Sequence, residues 1–246
     1  MLYDHPEVYD ALFRAEEHAA LYGALADRHP GAVLELACGT GQIGVPLARP
    51  GRRVVGLDVS RPMLDAARRR AGSAGAAVEF VEADMRDFEL GERFALIFVA
   101  RNSLLHLHAA ADFAAAFAAV RRHLAPGGVF AFDVFNPDVR LLAQAPGERS
   151  FVMRAPFEDG ELTVEATADY DAGTQVNRAT WYVSTPTHRD RWVMPLHLRS
   201  IFPQELPLLL AASGFRLRSR AGDLRGGAFT SASRRQVCVC DLVEPE

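Results

Sequence analysis

The chain has no lysine; all 27 of its basic residues are arginine. That excludes a Walker-type phosphate-binding lysine, a Schiff-base lysine and a lysine general base. Cysteine is scarce, with 3 residues in 246, at Cys38, Cys238 and Cys240. An odd, sparse set argues against a disulfide framework. Cys238 and Cys240 have no further Cys or His at ligand spacing, so they read as strand residues sharing one face rather than a metal pair. No apolar run approaches the ~18 residues of a membrane span. The acidic start, MLYDHPEVYD, lacks the basic and apolar regions of a signal peptide, so a cytoplasmic protein that does not engage membrane is expected. The net charge of −4 offers no general attraction to nucleic acid or an anionic membrane. The run Arg68-Arg69-Arg70 is expected on a solvated helix face.

A hydrophobic content of 49% is enough for one large domain, and residues 1–246 are expected to form one. Short apolar strands alternate with helical patterns from residue 30 to 135. Strands are expected at 32–37, 53–59, 77–82, 94–100 and 129–135, and helices at 41–48 and from 61 to about 71. A further helix is marked by Phe113, Phe117, Val120 and Leu124 on one face and is stopped by Pro126-Gly127-Gly128. Strands apolar on both faces and separated by helices indicate a parallel sheet covered on both sides. Between 147 and 202 the rhythm changes to three extended segments, 161–170, 174–184 and 191–202, expected as a small inserted antiparallel sheet. A helix at 203–213 and two last strands, 215–221 and 236–243, complete the chain. The expected fold class is α/β, a three-layer sandwich whose seven-stranded sheet is mostly parallel with its last strand antiparallel.

Ligands of such sheets bind beyond the carboxyl ends of the strands. There the sequence places Gly39-Thr40-Gly41-Gln42-Ile43-Gly44, a literal G-x-G-x-x-G, with Asp58 after the next strand, which is a dinucleotide fingerprint. Glu35 does not suit that ligand. A carboxylate a few ångströms from a phosphate costs about 1 kcal/mol in water and about 4 near a protein surface. Inside an apolar strand, Glu35 calls for a cation or several N–H donors. S-adenosylmethionine has an ammonium, a sulfonium and no phosphate. It also has a ribose diol for Asp58 and an adenine amine for an acid after the third strand, Asp84.

In this ordered combination the sequence resembles the class I S-adenosylmethionine-dependent methyltransferases of small-molecule type. The first motif is Glu35-Leu36-Ala37-Cys38-Gly39-Thr40-Gly41, the second runs from Val54 to Ser60, the third is Val81-Glu82-Ala83-Asp84-Met85, and Leu124-Ala125-Pro126-Gly127-Gly128 leads into the fifth strand. Ala37 departs from the glycine often found at its position. The resemblance implies that Glu35 and the backbone of Ala37, Gly39 and Gly41 hold the methionine end, and that Asp58 takes the ribose hydroxyls. It implies that Val59 and Met63 flank the adenine, that Asp84 and the Met85 N–H meet its polar edge, and that Ala100 and Arg101 border the methyl-donor end. The product would be S-adenosylhomocysteine.

Methyl transfer is an in-line displacement whose main requirement is positioning. His106 is the candidate base, with His108 behind it, and Asn102 is a candidate for orienting donor or acceptor. The place where nucleobase methyltransferases have a (D/N)-P-P-(Y/F) motif reads Ala100-Arg101-Asn102-Ser103, which disfavours nucleic acid and leaves an N or O nucleophile of a small molecule. The insert resembles a substrate lid, and its Trp181, Tyr182 and Trp192 either line a pocket or join the insert to the core. Arg199 is expected to pair with an anionic substrate. Tyr3 and Tyr9 belong to a segment that in similar enzymes folds over the cofactor. Two other readings of the same glycines are an NAD-dependent oxidoreductase and a non-catalytic S-adenosylmethionine-binding protein.

Overall fold

In a computed structural model of the chain, the structure describes residues 1–158 and 160–243. The N-terminal segment forms α1 (Pro6–Leu12) and α2 (Glu16–Arg28), then come β1 (Val33–Leu36), α3 (Gly44–Leu47), β2 (Val54–Asp58), α4 (Arg61–Ala74), β3 (Val78–Glu82) and β4 (Phe94–Val99). There follow α5 (Ala110–His123), β5 (Leu124–Phe135) and α6 (Val139–Leu142), then β6 (Ser150–Phe157), β7 (Gly160–Asp171), β8 (Val176–Ser184) and β9 (Trp192–Arg199), and finally α7 (Leu206–Ala212), β10 (Phe215–Ala221) and β11 (Arg235–Leu242).

The main sheet has 7 strands in the order β10-β11-β5-β4-β1-β2-β3. Neighbours from β5 to β3 pair in parallel, and β11 runs antiparallel to both β5 and β10. The order reverses at β1 and β4, so their carboxyl ends flank the crevice where ligands of open α/β sheets bind. β1 and β2 are buried along their whole length, the pattern of strands covered on both faces. Along β1, Leu34 and Leu36 pack with Phe113 and Phe117 of α5, while Val33 packs with Tyr22 and Leu25 of α2 and Leu47 of α3. Pleating therefore directs Glu35, on the same side as Val33, toward α2 and α3.

The glycine-rich loop is longer and α3 shorter than expected, because Gly39 and Gly41 adopt φ of +53° and +73°. That left-handed backbone ends any helical run, so only Gly44–Leu47 is helical. α4 starts where expected: the Ser60 hydroxyl accepts from Met63 N at 3.4 Å and proline sits in the first turn. It extends to Ala74 because Gly75, at φ 60°, is the residue able to adopt the left-handed cap.

The second sheet has 4 strands, β6-β7-β8-β9, one more than the three extended segments expected. β6 was illegible because it is an edge strand with almost no buried residues and a proline, Pro156. One face of this sheet, with Leu162, Val164, Val183 and Met194, packs on Leu2, Val8 and Leu12. The N-terminal segment is thus held between the second sheet and the ligand end of the first. Cys238 and Cys240 are free, buried thiols in the α5-side core.

Candidate active site

The Glu35 carboxylate is 2% exposed, and its Oε2 has no hydrogen-bond partner. Burial pushes its pKa well above the usual carboxylate range, the Asp58 charge adds to this, and the Gly44 amide and Arg101 only partly oppose it. A Cβ on Gly44 would stand 2.7 Å from Oε2, so the glycine there makes room for the carboxylate. Asp58, at the end of β2, is better satisfied. It accepts from the backbone N–H of Gly39 at 2.8 Å and of Ser60 at 2.8 Å, although burial still raises its pKa. The two acids together make a negative pocket under a loop whose glycines allow close backbone approach.

The N-terminal segment closes this pocket. The Tyr9 ring lies over Gly39, Ser60 Oγ donates to the Tyr3 carbonyl at 2.8 Å, and Asp10 accepts from Thr40, Gln42 and Arg70. Arg70, expected on a solvated face, also donates to the Thr40 carbonyl at 2.9 Å and so clamps the glycine-rich loop to α1. Asp10 was not singled out in the sequence, since a carboxylate in an acidic N-terminal stretch has no distinguishing pattern. The space left, lined by Tyr9, Glu35, Ala37, Thr40, Ala100 and Arg101 among others, is about 10 Å³. The N-terminal segment thus narrows this space to about the volume of one water.

At the end of β4 the chain turns through Arg101 and Asn102, both left-handed at φ 57° and 65°. The Arg101 guanidinium lies against the rings of both Tyr9 and Phe13, 5.3 and 5.0 Å from their centroids, and donates to Gln42 at 3.3 Å. Asn102 Oδ1 is buried without a partner. In the short helix that follows, His106 Nε2 lies 2.6 Å from the Tyr3 hydroxyl. Burial, with a lesser effect from His108, lowers the His106 pKa to about 4, and burial raises that of Tyr3. His106 is therefore neutral at pH 7, and in its Nδ1–H tautomer Nε2 accepts a hydrogen bond from the Tyr3 hydroxyl.

This shift has a consequence for stability. The unfolded chain takes up a proton at this histidine near its ordinary pKa of 6.5, and the folded chain only near 4. The stabilisation is complete above pH 6.5 and is lost as pH falls from 6.5 toward 4, up to about 3 kcal/mol. The raised carboxyl of Glu35 acts in the opposite direction, so the comparison with a variant is informative. His106→Gln is expected to flatten the fall in unfolding free energy across that window, measured by urea denaturation at several pH values; identical slopes would contradict the assignment.

The other expected positions differ in their surroundings. Met63 is fully buried at 0% and packs as a core residue, whereas Val59 beside it is 64% exposed at the rim. Asp84 is engaged by Arg86, whose side chain and backbone N–H both donate to it. Met85 packs partly buried against the α5-side core. Arg199 is a correction: it is 8% exposed, ion-paired with Glu205, and donates to the His108 carbonyl at 3.3 Å, so it offers no free cation to a substrate. It ties the second sheet to the loop after β4. The three insert aromatics do not share a face. Trp181 and Trp192 join the cluster around α1, while Tyr182 stacks under Arg149 at 4.1 Å. Among the described residues, no cluster of His, Cys, Asp and Glu forms a metal site, and no helix is long and apolar enough to cross a membrane.

The residues present fit S-adenosylmethionine: an orphaned buried carboxylate oxygen, an acid at the second strand end, and a glycine loop in left-handed conformations. A methyltransferase-domain family model matches residues 33–128. The chain belongs to the class I S-adenosylmethionine-dependent methyltransferases and uses that cofactor. It is similar to the CcbJ methyltransferase from Streptomyces caelestis, with a TM-score of 0.79 and 30% identity over 93% of this chain and 89% of that one. It is 29% identical to a cypemycin N-terminal methyltransferase of Streptomyces sp, over 85% of this chain and 82% of the relative. It is 35% identical to a dTDP-3-amino-3,4,6-trideoxy-alpha-D-glucopyranose N,N-dimethyltransferase of Streptomyces venezuelae, over 51% of this chain and 55% of that one. The dehydrogenase reading of the glycines and the non-catalytic reading are not favoured.

Proposed function

We propose that this enzyme methylates an amine nitrogen of a small molecule. The carrying observation is the neutral His106 beside the Tyr3 hydroxyl after β4. In the tautomer whose Nε2 accepts the Tyr3 O–H, the Tyr3 oxygen has lone pairs free to accept an N–H from an acceptor amine. That contact points the nitrogen lone pair away from the tyrosine, toward the donor end. Positioning of this kind lowers the barrier by about 7–11 kcal/mol without strong charge stabilisation. The bound cofactor supplies a methyl group already activated by its sulfonium.

Glu35 offsets the ligand's positive charge, with the backbone of Ala37, Gly39 and Gly41 beside it. Asp58 exchanges one of its amide contacts for the ribose diol, Val59 borders the adenine, and Asp84 and Met85 meet its edge. Arg101 and Ala100 flank the methionine end, and Asn102 uses its unpaired Oδ1 to orient the acceptor. Tyr9 and Tyr3 close over the pair and exclude water. The second sheet, within residues 147–202, backs this cover as a lid, in a single domain. Amine methylation agrees with the activities for which the N-terminal and amino-sugar relatives are named. A cytoplasmic setting and the absence of a nucleic-acid partner remain part of this reading.

The test is transfer of a labelled methyl group from S-adenosylmethionine to a panel of nucleotide-linked amino sugars, peptides with a free N-terminus, phenols and catechols. Label on amines supports the reading; label on hydroxyls alone overturns it.

A further inference from the structure

Behind the donor end lies a buried carboxylate not used in the scheme above. Asp133, near the end of β5, is 0% exposed. Its Oδ1 accepts from the Tyr22 hydroxyl at 2.8 Å and the Arg101 backbone N–H at 3.0 Å. Its Oδ2 pairs with Arg235, and His18 Nε2 lies 3.4 Å away. The Asp133 carbonyl accepts from Asn102 N at 3.1 Å. One residue thus holds both amides of the turn after β4.

That turn needs holding. Arg101 and Asn102 are consecutive non-glycine residues in the left-handed region, a conformation that persists only when the surroundings over-determine it. Their orientation places Arg101 in the lining of the pocket beside Glu35 and Ala37, with its guanidinium against the rings of both Tyr9 and Phe13, and leaves Asn102 Oδ1 buried without a partner. A plain structural tie would need only Arg235, Tyr22 and His18, which join α2 and β11 to β5. The two contacts to the turn amides serve the site instead.

We infer that Asp133 is a positioning residue for methyl transfer, acting through the Arg101–Asn102 turn at the donor end. This rests on the methyltransferase site described above. Both carboxylate oxygens act as acceptors, so asparagine is a poor substitute. Its single NH₂ must face either the Arg101 N–H and Tyr22 O–H or the Arg235 guanidinium, donor against donor.

The experiment compares Asp133→Asn with Tyr22→Phe, which removes a partner of Asp133 but leaves both turn contacts in place. S-adenosylhomocysteine affinity is measured by calorimetry, kcat and KM by methyl transfer, and Tm alongside. Asp133→Asn is expected to weaken binding at least tenfold and to lower kcat. Tyr22→Phe is expected to lower Tm while affinity stays within threefold. Unchanged affinity in Asp133→Asn, or equal losses of affinity in both variants, would overturn the proposal. Should Asp133→Asn fail to fold, amide exchange in the unaltered protein decides: strong protection of the Arg101 and Asn102 amides is expected, and rapid exchange overturns the inference. If the unaltered protein binds no S-adenosylhomocysteine, the site reading fails instead, and the exchange result still reports on Asp133 separately.

Discussion

Glu35→Gln raises the thermal stability of the ligand-free protein and weakens binding of S-adenosylhomocysteine at least tenfold. The two effects have one cause. In the ligand-free fold the carboxylate is 2% exposed and Oε2 is unpartnered, so its charge is held against a desolvation cost. Glutamine keeps the shape and removes the charge. A relief of about 1 kcal/mol corresponds to roughly 2–4 °C in Tm for a chain of this size. The ammonium of the ligand then loses its counter-charge. A hydrogen bond to a charged group contributes about 1.5–3 kcal/mol, and each 1.4 kcal/mol is tenfold in affinity. If Glu35 merely braced the loop against Gly44, the variant would be less stable and would bind as before. Differential scanning fluorimetry and calorimetry on the same preparation separate these outcomes.

Asp58→Ala weakens the same binding at least tenfold but moves Tm the other way. Asp58 already accepts from Gly39 N and Ser60 N in the ligand-free fold. Alanine leaves two donors with no side-chain acceptor, at a cost of about 1–3 kcal/mol for each that stays buried. It also removes the acceptor for the ribose hydroxyls. Unchanged affinity with lowered Tm would mean that Asp58 only shapes the loop. The opposite signs in Tm follow from the partners: Glu35 has an orphaned oxygen, Asp58 has two amides.

The main sheet was legible because its central strands β1, β2 and β4 are buried almost throughout and so appear as apolar runs between helical patterns. Glu35 and Asp58 were legible for the complementary reason, as charges interrupting or ending those runs. β6 left no such trace, because an exposed edge strand needs no apolar alternation. Arg199 was misplaced because sequence gives the charge of a side chain but not its partner; Glu205, six residues on, takes it up. Asp133, Asp10, Tyr22 and Arg235 were missed for a related reason. Their meaning lies in contacts between elements far apart in the chain, such as Arg235 with Asp133, which no local spacing encodes. Tyr3 and His106 were each singled out, but their direct pairing was visible only once the N-terminal segment was seen packed across the sheet end.

The most direct test is a pair of calorimetric titrations of the purified protein, one with S-adenosylhomocysteine and one with NADH. An acid-lined pocket under the glycine loop predicts binding of S-adenosylhomocysteine and no binding of the pyrophosphate ligand. Binding of NADH with no response to S-adenosylhomocysteine would contradict the account.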